Sequence, residues 1–240
     1  MSAYDLHDLV IRTVAEYLID DNVTLVALQR LSVRFYGLRD IFIGQIKLSS
    51  TKSIWAYVHR PYGWNQVLHM IFIDSDISDV SSLSSVKSLL FYNCQKICDV
   101  SGLHKVQSLM LWQCGNISDV SSLGHLKFLS IWNCPLIRDI SGLRGVHYLY
   151  LHLFDNITDV SALGNAHTLI LSYLYGITDV SALGGVFNLT LKGCQDITDV
   201  SALGSVSKLH LENCQGITDV SALRRVSELK IVDCRYIVKN

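Results

Sequence analysis

The chain is organised by a stretch of eight residues, ITDVSALG, that recurs at a fixed spacing of 20 residues. Identical copies occupy residues 157–164, 177–184 and 197–204, and a copy that ends in Arg occupies residues 217–224. Looser copies keep the same phase further back, so that between residues 79 and 221 eight Asp residues are each followed two positions later by Ser. A short fixed period of this kind predicts a solenoid of stacked turns.

The apolar positions within one period predict two segments. In the copy that begins at Asp199, Leu209 and Leu211 flank one polar residue, as in a short strand with one buried face. Val200, Leu203 and Val206 recur at every third position, which favours a tight turn or 3₁₀ segment on the opposite side. Because one turn cannot bury these side chains alone, neighbouring turns must seal its core, and the repeated leucines are architecture rather than a site.

The repeat L-x-L-x-x-C-x-x-I-T-D-V-S-x-L resembles the leucine-rich repeat, and the resemblance covers residues 79–240. It implies an α/β solenoid of about eight turns with short parallel strands and a turn or 3₁₀ convex side. The close identity of consecutive copies also resembles the repeat arrays of protists and of the large DNA viruses that infect them. A viral origin would imply action in the host cytoplasm, on a host partner.

Composition sets further bounds on function. The chain has 240 residues, is 50% hydrophobic and carries a formal net charge of −1. It has no basic field to attract nucleic acid or an acidic membrane, and neither is expected as a partner. No apolar run approaches the ~20 residues of a membrane-spanning helix, and residues 1–5 lack the features of a signal peptide. A cytoplasmic or nucleocytoplasmic protein is therefore predicted.

Six of the seven cysteines occupy one phase of the repeat, and Phe154 and Leu174 fill the same slot in two further turns. The six are Cys94, Cys114, Cys134, Cys194, Cys214 and Cys234. A slot that accepts Cys, Phe or Leu predicts a buried apolar group, so reduced thiols are expected. A disulfide ladder across turns ~5 Å apart is the alternative. A zinc site is disfavoured because no C-x-x-C pair occurs.

The eight Asp residues in register need partners, because carboxylates stacked ~5 Å apart repel one another. We expect each to accept the backbone N–H group two residues on, in an Asx-type cap to which the following Ser contributes. A calcium ladder is the alternative, but repeat calcium sites add a Gly-x-Asp motif, whereas this chain has one Asp per turn at that face. No metal ligand and no cofactor is predicted.

The first 40 residues lack the repeat and show helical spacing instead. Their apolar positions, with Ser-Val-Arg-Phe at 32–35, resemble an F-box: Leu6, Val10, Ile11, Val14, Leu18, Leu28, Leu31 and Phe35. His7 departs from that family's pattern, which usually has Pro there, and the connection at residues 20–24 is short. The resemblance implies a helical module, residues 1–40, whose apolar stripe binds the adaptor subunit of an SCF-type ubiquitin ligase. The alternative is a helical cap that only shields the first turn.

Residues 41–78 join this module to the repeats. Ile41 and Ile43 begin an alternation typical of a strand, and residues 68–77 look like a degenerate first repeat. We interpret the segment as an N-terminal capping layer whose aromatic side chains form its core rather than a ligand cage.

The residues that flank the strand leucines face outward on the concave side of such repeats, and there the copies diverge. The first four turns place seven ring side chains at these positions: Tyr92, Trp112, Phe128, Trp132, Tyr148, Tyr150 and His152. The last turns place charged residues there. Outward Trp and Tyr side chains anchor interfaces, so we predict a protein-binding surface centred on Trp112, Trp132 and Tyr150. A self-stacking ladder that only stiffens the sheet is the alternative.

Three functions fit these features, and none is enzymatic: no nucleophile elbow, phosphate loop or H-E-x-x-H motif occurs, and the nine His residues occupy unrelated phases. The first is a substrate-recognition subunit of an SCF-type ligase with its target on the concave face. The second is a leucine-rich-repeat scaffold without a role in ubiquitylation. The third is an extracellular adhesin that resembles bacterial leucine-rich invasion proteins, but it conflicts with the missing signal peptide and reduced cysteines.

The last turn has no amphipathic helix to cover Leu223, Val226, Leu229 and Ile231. Solenoids normally end on a polar cap. We therefore expect this turn to fray or to self-associate end to end.

Overall fold

The computed structural model describes residues 41–43 and 69–237. The chain divides into two compact units, Met1–Ile43 and Gly44–Asn240. In the first unit the described residues form one short strand, β1 (Ile41–Ile43), where the alternation of isoleucines predicts one. The predicted helical module with all its F-box-like positions, and the aromatic part of the capping layer, lie outside the described residues.

The described part of the second unit forms a sheet of nine parallel strands in chain order, each hydrogen-bonded to the next. They are β2 (His69–Ile73), β3 (Ser88–Tyr92), β4 (Ser108–Trp112), β5 (Phe128–Trp132), β6 (Tyr148–Phe154), β7 (Thr168–Leu174), β8 (Asn188–Lys192), β9 (Lys208–Glu212) and β10 (Glu228–Val232). From β3 onward the register follows the sequence period, as where Leu89 pairs with Leu109. The degenerate first repeat supplies β2, which pairs with β3 at a slightly shorter offset, His69 with Ser88.

Short 3₁₀ segments link the strands. They are η1 (Ser81–Leu83), η2 (Ser101–Leu103), η3 (Ser121–His125), η4 (Ser141–Gly145), η5 (Ser161–Leu163), η6 (Ser181–Gly185), η7 (Ser201–Ser205) and η8 (Ser221–Arg225). In each segment the backbone N–H of the third residue, a Leu, donates to the carbonyl three residues earlier, as from Leu203 to Val200 at 3.0 Å. Residues 69–237 contain no α-helix. For this region the predicted fold class, parallel strands with a turn or 3₁₀ convex side, is confirmed.

The hydrophobic core lies between the sheet and the 3₁₀ segments. In one turn Leu203, Leu209, Leu211, Cys214 and Ile217 are all buried, and they belong to a single cluster that runs through every described turn. Each turn therefore completes the core of its neighbours, as the sequence predicts, and the repeated leucines carry the architecture.

All eight Asp residues in register cap the turn that follows them. The backbone N–H of the Ser two residues on donates to an Asp Oδ1 atom at 2.8–2.9 Å. This bond, assisted by the Ser side chain, holds the pKa of seven of the eight carboxyls, from Asp99 to Asp219, below its usual value. The predicted Asx-type cap is confirmed.

The cysteines in phase are free thiols; five of the six are buried, and Cys234 is half-buried. Each donates to backbone carbonyls, as where Cys134 Sγ lies 3.6 Å from the carbonyl oxygens of Leu111 and Trp132. Burial raises the pKa of the Cys134 thiol to about 12. Such a thiol stays protonated and acts as a packing group, as the sequence predicts.

The final Gly of ITDVSALG allows a close approach of successive 3₁₀ segments in the turns that carry it, whereas other turns hold Ser84, His104 or Arg144 in this slot. A β-carbon on Gly164 would lie 2.1 Å from the carbonyl oxygen of Ala182, and one on Gly204 would lie 2.6 Å from that of Ala222. Real β-carbons do not come so close to a backbone oxygen. In η8 the same slot holds Arg224.

Candidate protein-binding face

The concave face is built from alternate residues of the strands, whose side chains point away from the core. The exposure of these side chains rises along the sheet: most are buried in β3 and β4, all are half-buried in β8 and β9, and two of three are exposed in β10. We call the outward positions of β3–β6 the aromatic face and those of β8–β10 the charged end. The two surfaces share one backbone frame and differ in side chains.

Four rings from four successive strands form a ladder across the aromatic face and onto β7. Trp112 and Trp132 meet edge to face, with ring centroids 5.9 Å apart and planes at 72°. Trp132 and His152 are 5.4 Å apart at 84°, and His152 and Tyr173 are 5.4 Å apart at 72°. Each such pair stabilises the fold by about 0.5–1.5 kcal/mol beyond the area it buries. The self-stacking ladder weighed from the sequence is therefore present.

Two of the three residues at the predicted centre of the surface are buried. Trp112 is 1% exposed and Tyr150 is 7% exposed. The Trp112 Nε1–H group donates to Ser130 Oγ at 3.0 Å, so the indole is fixed by both packing and a hydrogen bond. The accessible area of the face comes from four half-buried rings: Tyr92, Phe128, Trp132 and Tyr148.

Tyr150 and His152 form an uncharged buried pair. Tyr150 Oη and His152 Nδ1 lie 2.9 Å apart. Burial lowers the pKa of His152 to about 4, with a smaller contribution from Lys192, and burial raises the pKa of Tyr150. A neutral imidazole whose Nδ1 is unprotonated can accept a hydrogen bond from the Tyr150 hydroxyl group. The pair therefore adds no charge to the aromatic face near neutral pH.

The Trp132 Nε1–H group is buried and has no hydrogen-bond partner among the described residues. Leaving such a donor unpaired costs about 1–3 kcal/mol. Unsatisfied buried groups are rare in native proteins and call for a reason.

One residue at the carboxyl end of each strand from β2 to β10 has a left-handed backbone; it follows the strand directly except in β6 and β7, where Leu153 and Tyr173 are the last residue but one. These residues are Asp74, Asn93, Gln113, Asn133, Leu153, Tyr173, Gly193, Asn213 and Asp233. Asn, Asp and Gly adopt this conformation at low cost, whereas Leu and Tyr do so at about 1–2 kcal/mol. Leu153 and Tyr173, with φ of 57° and 53°, therefore hold strained backbone in two adjacent turns.

The same two turns expose apolar side chains. Leu153 is 39% exposed and Tyr175 is 42% exposed. The Tyr173 ring contacts His152 and lies over Gly193, whose β-carbon would come within 2.5 Å of Tyr173 Cδ1. We call Leu153, Tyr173 and Tyr175 the apolar edge, which lies at the carboxyl ends of β6 and β7. Sequence reasoning missed it, although the replacement of Asn by Leu and Tyr at a fixed phase is the signal that identifies it.

A second ring cluster lies at the residue before β6, β7 and β8. The rings of His147 and His167 are 4.7 Å apart, and the His167 ring stacks on Phe187 at 4.9 Å and 24°. Partial burial and the neighbouring His167 lower the pKa of His147. The expectation that the His residues occupy unrelated phases is wrong for this pair, because His147 and His167 stand one repeat apart.

The charged end is organised by ion pairs across adjacent strands. Lys192 Nζ lies 3.1 Å from Glu212 Oε1, and Lys208 Nζ lies 2.6 Å from Glu228 Oε1. Pairs on such exposed surfaces are worth at most about 1 kcal/mol each. The outward positions of this region carry three lysines and two glutamates, and two of those lysines are in these ion pairs.

Among the described residues no group of three or more His, Cys, Asp or Glu side chains converges as a metal site. In the same part of the chain no helix is long and apolar enough to cross a membrane. The eight predicted adaptor-binding residues lie outside the described residues, so their prediction stands untested.

Comparisons with known proteins show the fold. No protein-family model matches the chain, and no curated protein matches it. The leucine-rich repeat domain of the type III effector XopL superposes with a TM-score of 0.59 at 13% identity, over 97% of this chain and 96% of that one. An internalin, InlF of Listeria monocytogenes, superposes with a TM-score of 0.58 at 25% identity, over 70% of this chain and 54% of that one. The chain therefore spans about half the length of that internalin. The fold is a leucine-rich-repeat solenoid.

The likeness to XopL and to InlF is a likeness of repeat architecture. The resemblance to leucine-rich repeats stated from the sequence is confirmed, whereas the F-box and the resemblance to protist and viral arrays remain predictions. Leucine-rich-repeat neighbours support an interaction module that presents its variable residues on one face.

Proposed function

We propose that this chain is a protein–protein interaction module whose target binds the aromatic face and the apolar edge. The observation that carries the proposal is the row of half-buried rings together with Leu153, which is both strained and exposed, and the exposed Tyr175. Large aromatic side chains in a rigid frame bind at low entropic cost and dominate interface energetics. Strained backbone persists where function requires it.

Within this surface the roles of the seven ring residues differ. Tyr92, Phe128, Trp132 and Tyr148 contact the target. Trp112, Tyr150 and His152 lie beneath or between them and hold them in place, because their side chains are buried. Of the predicted centre of Trp112, Trp132 and Tyr150, we therefore assign the contact itself to Trp132 and the accessible rings around it.

We further propose that the module is the substrate-recognition subunit of an SCF-type ubiquitin ligase in the cytoplasm or nucleus. An F-box-like pattern directly before leucine-rich repeats supports this, since it pairs an adaptor-binding segment with a target-binding one. The protein would supply geometry, and the recruited conjugating enzyme would supply the chemistry. The second candidate is a scaffold without a role in ubiquitylation, in which the N-terminal segment only caps the solenoid.

A pulldown with the purified adaptor subunit separates these two candidates. The wild type is compared with a variant that carries Val10→Asp and Leu28→Asp, two changes in the F-box-like stripe. Binding by the wild type alone supports the ligase subunit. Failure of a well-folded wild type to bind leaves the scaffold.

Photocrosslinking tests the target surface independently of the ligase. A benzoylphenylalanine at Phe128 on the aromatic face is compared with one at Asn165, which is exposed on the convex side. We expect one protein to crosslink from Phe128 and not from Asn165. That protein, once purified, should bind the Trp132→Ala variant at least about tenfold more weakly than the wild type. Equal crosslinking from both positions contradicts the assignment of the face.

A further inference from the structure

A groove separates the last two described turns on the convex side. Its volume is about 760 Å³, and its lining is polar and cationic: Ser201, Ser205, Ser207, Ser221, Arg224, Arg225 and Ser227. The corresponding slots of η6 and η7 hold Gly or Ser, and η4 has one arginine, Arg144, in the slot of Arg224, so two adjacent arginines occur in this turn alone among the described turns. The sequence Arg224-Arg225-Val226-Ser227 thus places two guanidinium groups and a serine hydroxyl at one groove.

The charges around the groove leave both guanidinium groups available to an anion. Within the described residues neither arginine forms an ion pair with a carboxylate. The nearest acidic groups are otherwise engaged, because Glu228 pairs with Lys208 at 2.6 Å and Asp219 accepts the Ser221 N–H at 2.8 Å. Arg224 acts on Asp219 only at a distance, where it contributes to lowering that pKa.

Ser227 is one of four exposed serines in this lining, with Ser201, Ser205 and Ser221. It lies in the bend between η8 and β10. The turn around it is the least covered of the described turns: Leu229 is 39% exposed and Ile231 36%, whereas Leu209 and Leu211 one turn earlier are buried. Local opening costs least in a turn with so little buried apolar area, so an enzyme can reach this segment in extended form.

We propose that Ser227 is a phosphorylation site for a serine kinase that selects arginine two and three residues before its acceptor, and that Arg224 and Arg225 then hold the phosphoryl group in the groove. Ser227 Oγ attacks the γ-phosphorus of ATP. The bond from that phosphorus to the β-phosphate oxygen breaks, ADP leaves, and the hydroxyl proton passes to the kinase's catalytic carboxylate. The product carries about two negative charges beside two guanidinium forks, the geometry that binds phosphate in bidentate fashion.

The preceding turn supplies a matched control. Ser207 occupies the same position in its repeat as Ser227 and lines the same groove, but it follows Gly204 and Ser205 instead of two arginines. Ser207 is half-buried whereas Ser227 is exposed, so the comparison of the two serines tests arginines and exposure together. The Arg224→Ala/Arg225→Ala variant keeps Ser227 at its exposed bend, and it therefore tests the arginines alone.

The test incubates the purified full chain with ATP and such an arginine-directed serine kinase, and maps phosphate by mass spectrometry. A peptide that contains residues 221–231 serves as the positive control for the kinase. We expect stoichiometric phosphate at Ser227, none at Ser207, and loss of modification in Arg224→Ala/Arg225→Ala. Modification of the peptide but not of the folded chain, or equal modification of Ser207, overturns the proposal.

Hydrogen exchange tests the second half of the proposal, in which Arg224 and Arg225 hold the phosphoryl group. We call this contact the clasp. Phosphate on Ser227 should slow exchange in β10 at least about tenfold, since one charge-assisted hydrogen bond is enough for that. The Arg224→Lys/Arg225→Lys variant keeps the charge but lacks the forked donors. After phosphorylation it should show less protection than the wild type. Equal exchange before and after phosphorylation in the wild type would show that the arginines guide the kinase but do not hold the product, and would refute the clasp.

Discussion

The aromatic face and the charged end are built on the same repeat and serve different ends. At the level of Trp112, Trp132 and His152 the outward side chains contact one another along the sheet. On β8 and β9 the equivalent positions hold Lys192 and Glu212, which form a half-exposed ion pair. As far as β9, the inward positions beneath both surfaces hold buried apolar residues, such as Leu111 under the aromatic face and Leu191 under the charged end. The difference teaches that inward positions determine the backbone, while outward positions are free to diverge and to carry function.

Truncation of a buried ring should give the largest effect. Trp112→Ala removes a fully buried indole, its edge contact to Trp132 and its hydrogen bond to Ser130, and we expect a loss of about 3–5 kcal/mol in the free energy of unfolding. Lys192→Ala at the same level of the charged end should cost no more than about 1 kcal/mol. Urea unfolding of both variants measures the contrast. Similar losses in the two variants would show that the aromatic face does not differ energetically from the charged end.

Acidification should weaken the aromatic face through His152. Its pKa is about 4 in the folded protein against an ordinary value of 6.5, so the unfolded chain binds the proton more readily. The free energy of unfolding is therefore unaffected by His152 above pH 6.5 and falls as the pH is lowered from 6.5 towards 4. The total loss is on the order of 3 kcal/mol.

The charged end again supplies the control for this titration. His152→Gln should remove most of the pH dependence between 6.5 and 4, whereas His210→Gln should change it less, because Glu212 partly opposes the burial and the lysines that lower the pKa of His210. Urea unfolding at closely spaced pH values measures both slopes. An unchanged slope in His152→Gln contradicts the assignment.

Relief of strain at the apolar edge should separate stability from binding. Leu153→Asn places a residue that tolerates the left-handed backbone where Leu is strained, and we expect a gain of about 0.5–1 kcal/mol. The same variant should bind the crosslinked target more weakly, because it removes exposed apolar area. Asn133→Leu, the reciprocal change one turn earlier, should lower stability by a similar amount. A loss of stability in Leu153→Asn would show that Leu packing outweighs the backbone strain.

The smallest effect is expected on end-to-end self-association, which we propose for the last turn. The structure buries Leu223 and Val226 but leaves Leu229 and Ile231 more than a third exposed, so only two of the four predicted residues are uncovered. Ile231→Glu should abolish any concentration-dependent dimer seen by analytical ultracentrifugation. Lys192→Glu, a charge change on a paired strand, is the control. A wild type that stays monomeric at high concentration contradicts the proposal.

Several features of the fold follow from local pattern alone. The spacing of Leu209 and Leu211 predicts a strand with one buried face, and that of Val200 and Leu203 predicts a 3₁₀ turn. The cap by Asp199 on the Ser201 N–H also follows from residue chemistry, since the bond spans two residues. Such contacts are short in sequence or repeat every turn, so a single copy of the motif predicts them all.

The accessible part of the candidate site did not follow from the sequence in this way. Pattern places Trp112, Trp132 and Tyr150 equally on the outward side, yet only Trp132 keeps accessible area. Tyr173 joins the ladder from the last position but one of β7, where its backbone is left-handed and its ring contacts that of His152. The meeting of His147 and His167 likewise depends on stacking across strands.

The sequence by itself determined the solenoid, its period, its core and its Asp caps, because a 20-residue repeat imposes one backbone path on every turn. Only the tertiary structure decided which rings on the concave face are buried supports and which are contact surface. It also decided where strain and exposure coincide at Leu153 and how Arg224, Arg225 and Ser227 share one groove. The physical reason is that periodicity specifies the direction of a side chain, whereas its accessibility depends on the sizes of its neighbours in adjacent turns.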